Sequence, residues 1–228
     1  MASIIAVAGL ISTVAVYAAV RNLYQRSPRV LFTPILLVPI VLLLLLAVTG
    51  ISYGAYNKGA NILTLLLKPA TVAFAIPIYK HFDLLKKHAL EIVGSVLIGS
   101  LAGISTSMLV GELFRLNPQV VSSLAPRSVT TPIAMEIANR IGANATLTAV
   151  FVIITGLLGF IVGPSVIRLL SIESRVSKGI LMGMSSHGVG TSKAFELGDV
   201  EGTVSSLTMV LAAIATFMMA PLIVPLLA

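Results

Sequence analysis

From Val30 to Ile51 the chain carries no charged side chain. A run this long and apolar has no place on a soluble fold of modest size. It has the length that a helix needs to cross a bilayer, about 20 residues. Five further runs are similarly long and apolar, with Lys68 the one charge among them: Ser3–Val20, Asn61–Tyr79, Ile92–Val110, Ala145–Ile167 and Thr203–Leu227. The rest of the chain does not compensate. Charged residues make up 10% of it and hydrophobic ones 57%, whereas a soluble domain carries about a quarter charged residues. Trp is absent and aromatics reach 6%, so the apolar mass is aliphatic. Transmembrane barrels show alternating segments of about ten residues; the unbroken runs here read as helices, which satisfy their own backbone within lipid.

Polar connectors separate the runs at 21–29, 52–59 and 80–91. Lys and Arg cluster after the first run (Arg21, Arg26, Arg29), the third (Lys80, Lys86, Lys87) and the fifth (Arg168, Arg175, Lys178). The remaining connectors carry Lys58 alone and Arg115 alone. Cytoplasmic loops hold the excess of Lys and Arg, which accounts for a formal charge of +7 without nucleic acid as a partner. Ser3–Val20 has no basic residue ahead of it and three after it, so it reads as a retained span and not a signal peptide. All three basic loops share one side only if the stretch 117–144 dips in and returns without crossing. That parity places both termini outside the cytoplasm. The absence of Cys removes disulfides, thiol nucleophiles and thiolate metal sites.

Two stretches are too polar to face lipid: NPQVVSSLAPRSVTTPIAMEIANRIGAN at 117–144 and SKGILMGMSSHGVGTSKAFELGDVEG at 177–202. Irregular backbone at membrane depth survives only inside protein or beside a water-filled cavity. They are re-entrant or discontinuous helices; the other reading is long extramembrane loops. They also repeat. Residues 127–150 set over 187–210 match at Val129/Val189, Thr131/Thr191, Ala134/Ala194, Glu136/Glu196, Gly142/Gly202, Leu147/Leu207, Thr148/Thr208 and Val150/Val210. Self-similarity at one fixed offset marks a duplicated unit. Each unit is a polar hairpin followed by one span, so the second is inverted relative to the first. Interrupted helices at matching places in inverted repeats mark the substrate site of secondary transporters. A single integral membrane domain over 1–228 follows, with scaffold spans in 1–113, one repeat unit at 117–170 and its inverted copy at 177–228. The fold class is all-α and polytopic: about six full spans plus two inverted re-entrant or discontinuous helical hairpins.

Three stretches carry a family resemblance: LLKPATVAFAIPIYK at 66–80, APRSVTTPIAMEIANRIGAN at 125–144 and GMSSHGVGTSKAFELG at 183–198. They resemble the signature segments of the LrgB/CidB family, and the likeness extends over essentially the whole chain. It implies a multi-pass protein of the bacterial plasma membrane, paired with a small LrgA/CidA-type holin-like membrane partner. Members are described as modulators of murein hydrolase activity and autolysis. Bacterial relatives are linked to pyruvate uptake, and the similar domain of a plastid envelope protein exchanges glycolate and glycerate. The LrgA-like part fused in that plant protein has no counterpart in these residues.

Ionisable residues at membrane depth are functional by default, since each costs at least about 2.5–3.5 kcal/mol to insert. Arg127 follows Pro126 and precedes Ser128, Thr130 and Thr131, ahead of a helix starting near Pro132. A helix N-terminus and a planar guanidinium both suit a small carboxylate; the alternative is an interfacial Arg reaching for water. His187 takes the equivalent place in the second unit, within Gly188, Gly190, Thr191 and Ser192. It either binds the anion or carries a proton, or it is a structural group bonded to a helix end. Lys193 either faces the same cavity or pairs with Glu196 three residues on. Glu136 and Glu196 are coupling-proton sites or internal partners of Arg140 and Lys193. Lys68, ahead of Pro69, is a third cationic wall or a counter-ion. No Gly-x-Ser-x-Gly accompanies Ser186-His187, and the three His lack zinc-ligand spacing, so neither an enzyme nor a cofactor is expected. Gly94, Gly99, Gly103 and Gly156, Gly159, Gly163 form small-residue faces for close packing. The expected function is a carrier of a small organic anion by alternating access, with a homodimer as the default assembly. The alternative is a non-transporting regulator of autolysis that works with a holin-like protein.

Overall fold

The computed structural model describes the backbone of residues 2–27, 29, 32–73 and 75–227. Of residues 2–6, 67, 68, 70 and 71 it describes the backbone alone. Every regular element among the described residues is helical, and the chain falls into two compact units, Met1–Ala73 and Phe74–Ala228.

The first unit holds α1 (Ala2–Arg26), α2 (Pro34–Thr49) and α3 (Tyr53–Ala73). Pro34 opens α2, where a missing N–H does no harm, and Gly50 closes it in the left-handed conformation at φ 66°. Gly9 brings α1 against α3: a Cβ there would lie 2.6 Å from the Tyr56 carbonyl oxygen. The Thr13 and Tyr56 hydroxyls hydrogen-bond at 2.7 Å beside it.

The second unit runs through α4 (Ala75–Lys80), α5 (Phe82–Lys87), α6 (Ala89–Leu113), α7 (Pro118–Leu124), α8 (Thr131–Arg140), α9 (Ala145–Leu169), α10 (Arg175–Leu197) and α11 (Asp199–Leu227). Helices α1 (from Val7), α6, α9 and α11 are long and apolar enough to cross a membrane, which makes the chain a multi-pass membrane protein. The stretch expected to span at Val30–Ile51 is helical only over the 16 residues of α2, about 24 Å against a hydrocarbon core of about 30 Å. The stretch expected at Asn61–Tyr79 is helical on both sides of position 74, over α3, with Pro69 inside it, and α4.

Both polar stretches form helices that reverse. In the first, Asn117 accepts from the Gln119 N–H to start α7, the chain turns over 125–130, and α8 leads back. In the second, α10 breaks at His187, whose φ of 41° and ψ of −131° are not helical. The reversal follows from packing. Met182 and Gly190 would stand about 12 Å apart on a continuous helix, yet a Cβ on Gly190 would collide with the Met182 carbonyl. Glycine is required there because two backbones touch.

Contacts fix the directions of the helices. Gly156, Gly159 and Gly163 of α9 meet His187, Ser186 and Met182 in turn, so α9 and the first arm of α10 are antiparallel. Gly179 and Gly183 meet Val204 and Ser205, so that arm runs with α11. Ile92 and Val96 share a core with Val204 and Ala212, while Ile104 and Met108 share one with Ala213, Ala220 and Val224, so α6 also runs with α11. The hairpin of α7 and α8 therefore leaves from the end where α6 stops and α9 starts. The hairpin of α10 leaves from the opposite end. Lys80, Lys86, Lys87, Arg168, Arg175 and Lys178 gather at the end where α6 and α10 begin, with Arg115 and Arg140 at the other.

Since Lys and Arg favour cytoplasmic loops, this sorting of charge predicts that the α10 end faces the cytoplasm. Single cysteines placed at Lys87 and Arg175, both exposed in a chain without native Cys, are expected to react with an impermeant maleimide from the cytoplasmic side. A cysteine at Arg115 is expected to react from the other. Labelling of all three from one side would contradict the arrangement.

Candidate functional site

The face of α6 that carries Gly99, Ser100, Gly103 and Ser107 repeats at the three- and four-residue spacing of one helical stripe. Its small side chains let other elements come close. A Cβ on Gly99 would lie 2.8 Å from the Met184 methyl group of α10, and one on Gly103 would lie 3.8 Å from the Ser128 hydroxyl. Between this stripe, the turn after α7, the first arm of α10 and α11 lies a cavity of about 310 Å³. Its polar lining is Ser100, Arg127, Ser128, Ser185 and Thr216; the rest is glycine, alanine and aliphatic or thioether side chain.

Arg127 sets the character of this cavity. Its Nε donates to the Ser107 hydroxyl at 2.8 Å, and Ser107 in turn donates to the Gly103 carbonyl. No carboxylate pairs with the guanidinium among the described residues, and none lines the cavity. The terminal nitrogens are thus free to meet a ligand. A second, more apolar cavity of about 420 Å³ lies along Thr155, Gly159 and Gly163 of α9, and Arg127, Leu181 and Ser185 line it too. Those three residues are the partition between the two spaces. A cation held by one hydroxyl in a largely apolar pocket attracts a singly charged anion.

The residues singled out in the sequence do not all converge here. Arg127 and Ser128 line the first cavity. Thr130 caps α8 through its backbone, without a side-chain bond, and Thr131 begins that helix. His187, its repeat equivalent, is buried and held by the backbone: its Nε2 meets the Val152 carbonyl at 3.2 Å, and its ring lies over Gly156. It lines neither cavity. Gly188 faces Met209, and Gly190 joins the two arms of α10. The Thr191 hydroxyl bonds the His187 carbonyl and the Ser205 hydroxyl, each at 2.9 Å. Ser192 is exposed and bonds the Gly188 carbonyl. Lys193 donates to Glu196 at 2.5 Å and lies 5.2 Å from the Phe160 ring centroid. Glu136 is exposed, and Arg140 sits 4.7 Å above the Phe217 ring centroid. The side chain of Lys68 lies outside the described residues. Sequence reasoning missed Ser100, Ser107, Ser185 and Thr216. The available signal was the small-residue stripe around Gly99 and Gly103, which reads as packing alone until the cavity beside it is known.

A family model described as the LrgB-like family matches residues 13–226. The chain is 49% identical over 217 residues to an uncharacterized protein YwbG of Bacillus subtilis, covering 95% of this chain and 96% of the relative. It is 31% identical over 219 residues to the antiholin-like protein LrgB of the same organism, covering 96% and 95%. It is 32% identical over 215 residues to a holin-like protein CidB of Staphylococcus aureus, covering 94% of each. No solved structure matches.

His187 and Arg127 are expected to separate in a stability measurement. His187→Ala removes the bond to the Val152 carbonyl and empties the tip of the hairpin, at a cost of about 1–3 kcal/mol, read as a lower unfolding temperature in detergent. Arg127→Ala leaves Ser107 bonded to Gly103 and is expected to leave that temperature nearly unchanged. Equal losses would refute the division of roles.

Proposed function

The chain belongs to the LrgB-like family, and from that premise we propose that it carries a small monocarboxylate across the bacterial plasma membrane by alternating access. The observation that carries this reading is Arg127: a guanidinium inside a membrane protein, fixed by Ser107 and matched by no acidic group among the described residues. Charge at membrane depth marks substrate paths. A short carboxylate supplies the missing countercharge, and its two oxygens suit the guanidinium fork.

The surrounding architecture supports the same reading. Two hairpins reach the interior of one unit from opposite ends, the arrangement expected of inverted repeats around a central site. Arg127, Leu181 and Ser185 border both cavities. A modest displacement of the α10 arm against the α7–α8 turn would expose the bound anion first to one space and then to the other. Pyruvate, glycolate and glycerate have the right charge and size. Glu136, exposed on α8, is the acidic group this reading assigns to proton coupling, since Glu196 is bonded to Lys193. A small LrgA/CidA-type partner and a homodimer complete the proposed assembly.

The printed names of two relatives, an antiholin-like LrgB and a holin-like CidB, favour a second reading. In it the chain regulates autolysis through a holin-like protein and carries nothing. That role needs no selective cavity and no unmatched cation.

Purified chain in liposomes distinguishes the two. Saturable uptake of labelled pyruvate or glycolate without any partner is expected. Arg127→Ala should weaken it by about ten- to a hundredfold, the value of a charge-assisted hydrogen-bonded pair, with Arg127→Lys intermediate. Full activity in Arg127→Ala removes the site. An absence of flux with and without a holin-like partner removes the carrier.

A further inference from the structure

Most glycines of the small-residue faces are held small by a neighbour. A Cβ on Gly99 or Gly163 would press into a methionine side chain, and one on Gly183 or Gly190 into backbone. Gly103 is different. A Cβ there would meet only the Ser128 hydroxyl within 4 Å, at 3.8 Å, an ordinary contact. Gly103 and Ser128 both line the cavity of about 310 Å³, so a side chain at 103 would point into that space. What the missing side chain leaves is room.

That room has a polar end and an apolar remainder. Arg127 is fixed to Ser107, and Ser107 to the Gly103 carbonyl one turn away, about 6 Å along the axis of α6. The other walls are chiefly Ile104, Ala125, Leu181, Met184 and Ala212, with no second charge among them. Of the hydroxyls, Ser100 has a buried Oγ and Ser185 is bonded to Ser186 at 2.9 Å, which leaves Ser128 and Thr216. A water molecule takes about 30 Å³ in the liquid, so the cavity holds about ten groups of that size. A two- or three-carbon acid on Arg127 fills about half of it. The rest is water against hydrocarbon, which an apolar chain displaces favourably. Met184, unbranched and flexible, follows the shape of such a chain.

We propose that this cavity takes monocarboxylates with an apolar chain, about five to eight carbons in all, the carboxylate on Arg127 and the chain against these walls, and that Gly103 sets the limit on chain bulk. The inference rests on Arg127 as the carboxylate anchor and extends the proposed substrates to longer acids. A second charge at the far end of the ligand would be buried without a partner, so dicarboxylates are refused.

The test is calorimetric titration of the full chain, purified in detergent, with straight-chain acids from acetate to decanoate at neutral pH. Wild-type affinity is expected to rise about fourfold per added methylene and to stop rising before decanoate. Arg127→Ala should weaken every acid by a similar factor. Gly103→Ala should end the rise about one carbon earlier and leave acetate unchanged. Since Ala favours a helix over Gly, that variant should unfold no earlier than wild type; a clear drop would mean that position 103 is closed by packing and overturn its assignment. A flat series with acetate and pyruvate still bound would sink the apolar chain and leave the carrier site standing. No binding of any acid would remove both. Long acids held equally well by Arg127→Ala, or a series unchanged in Gly103→Ala, would put the chain in the detergent or on another surface and overturn the inference. The expected series without flux in liposomes would remove the carrier reading alone.

Discussion

The bond from Arg127 to Ser107 organises the interior of the second unit, because it fixes a charge without neutralising it. A carboxylate in place of Ser107 would have made a closed ion pair with nothing left to offer. A hydroxyl only orients the guanidinium and leaves its terminal nitrogens unspent. Ser107 can act in this way because it is anchored in turn to the Gly103 carbonyl of its own helix. The whole arrangement requires that the turn after α7 come close to α6. That is possible because Gly99, Ser100 and Gly103 present almost no side-chain volume on that stripe.

The second hairpin depends on the same device carried further. Gly179, Gly183 and Gly190 are positions where a Cβ would meet backbone atoms of α11 or of the opposite arm. Close backbone contact brings two short helical arms within reach of α9 and α11 on both sides. His187 then closes the tip through the Val152 carbonyl, in a backbone conformation that non-glycine residues rarely adopt. Positions 127 and 187, aligned in the sequence, have different roles: Arg127 lines a cavity, whereas His187 is packed and bonded to the Val152 carbonyl.

The helical class and the interruption of both polar stretches were legible because both follow from hydrophobic run length and where it stops. Pro126, Pro132 and the glycines around His187 announce broken helices without any coordinates. The exact extent of the spans was less legible. Gly50 stops α2 short, and polar residues with Pro69 make α3 a helix that hydropathy alone does not define. At the site, Arg127 stood out as a charge in apolar surroundings. Ser100 did not, since one serine in a row of small residues looks like filler. His187 was conspicuous for the opposite reason: an ionisable group draws attention, but here the carbonyl of Val152 occupies it.

The unmatched guanidinium also bears on energetics during turnover. In a carrier built this way the loaded site is neutral and the vacant one is a buried cation. Reorientation of the vacant form is then the slow step, and it is the step on which the electrical gradient acts. Such a protein runs fastest when a second anion is waiting on the far side, so that it never has to return unoccupied. In the proposed carrier, a single arginine without a carboxylate slows the empty return and so favours exchange over net movement of solute.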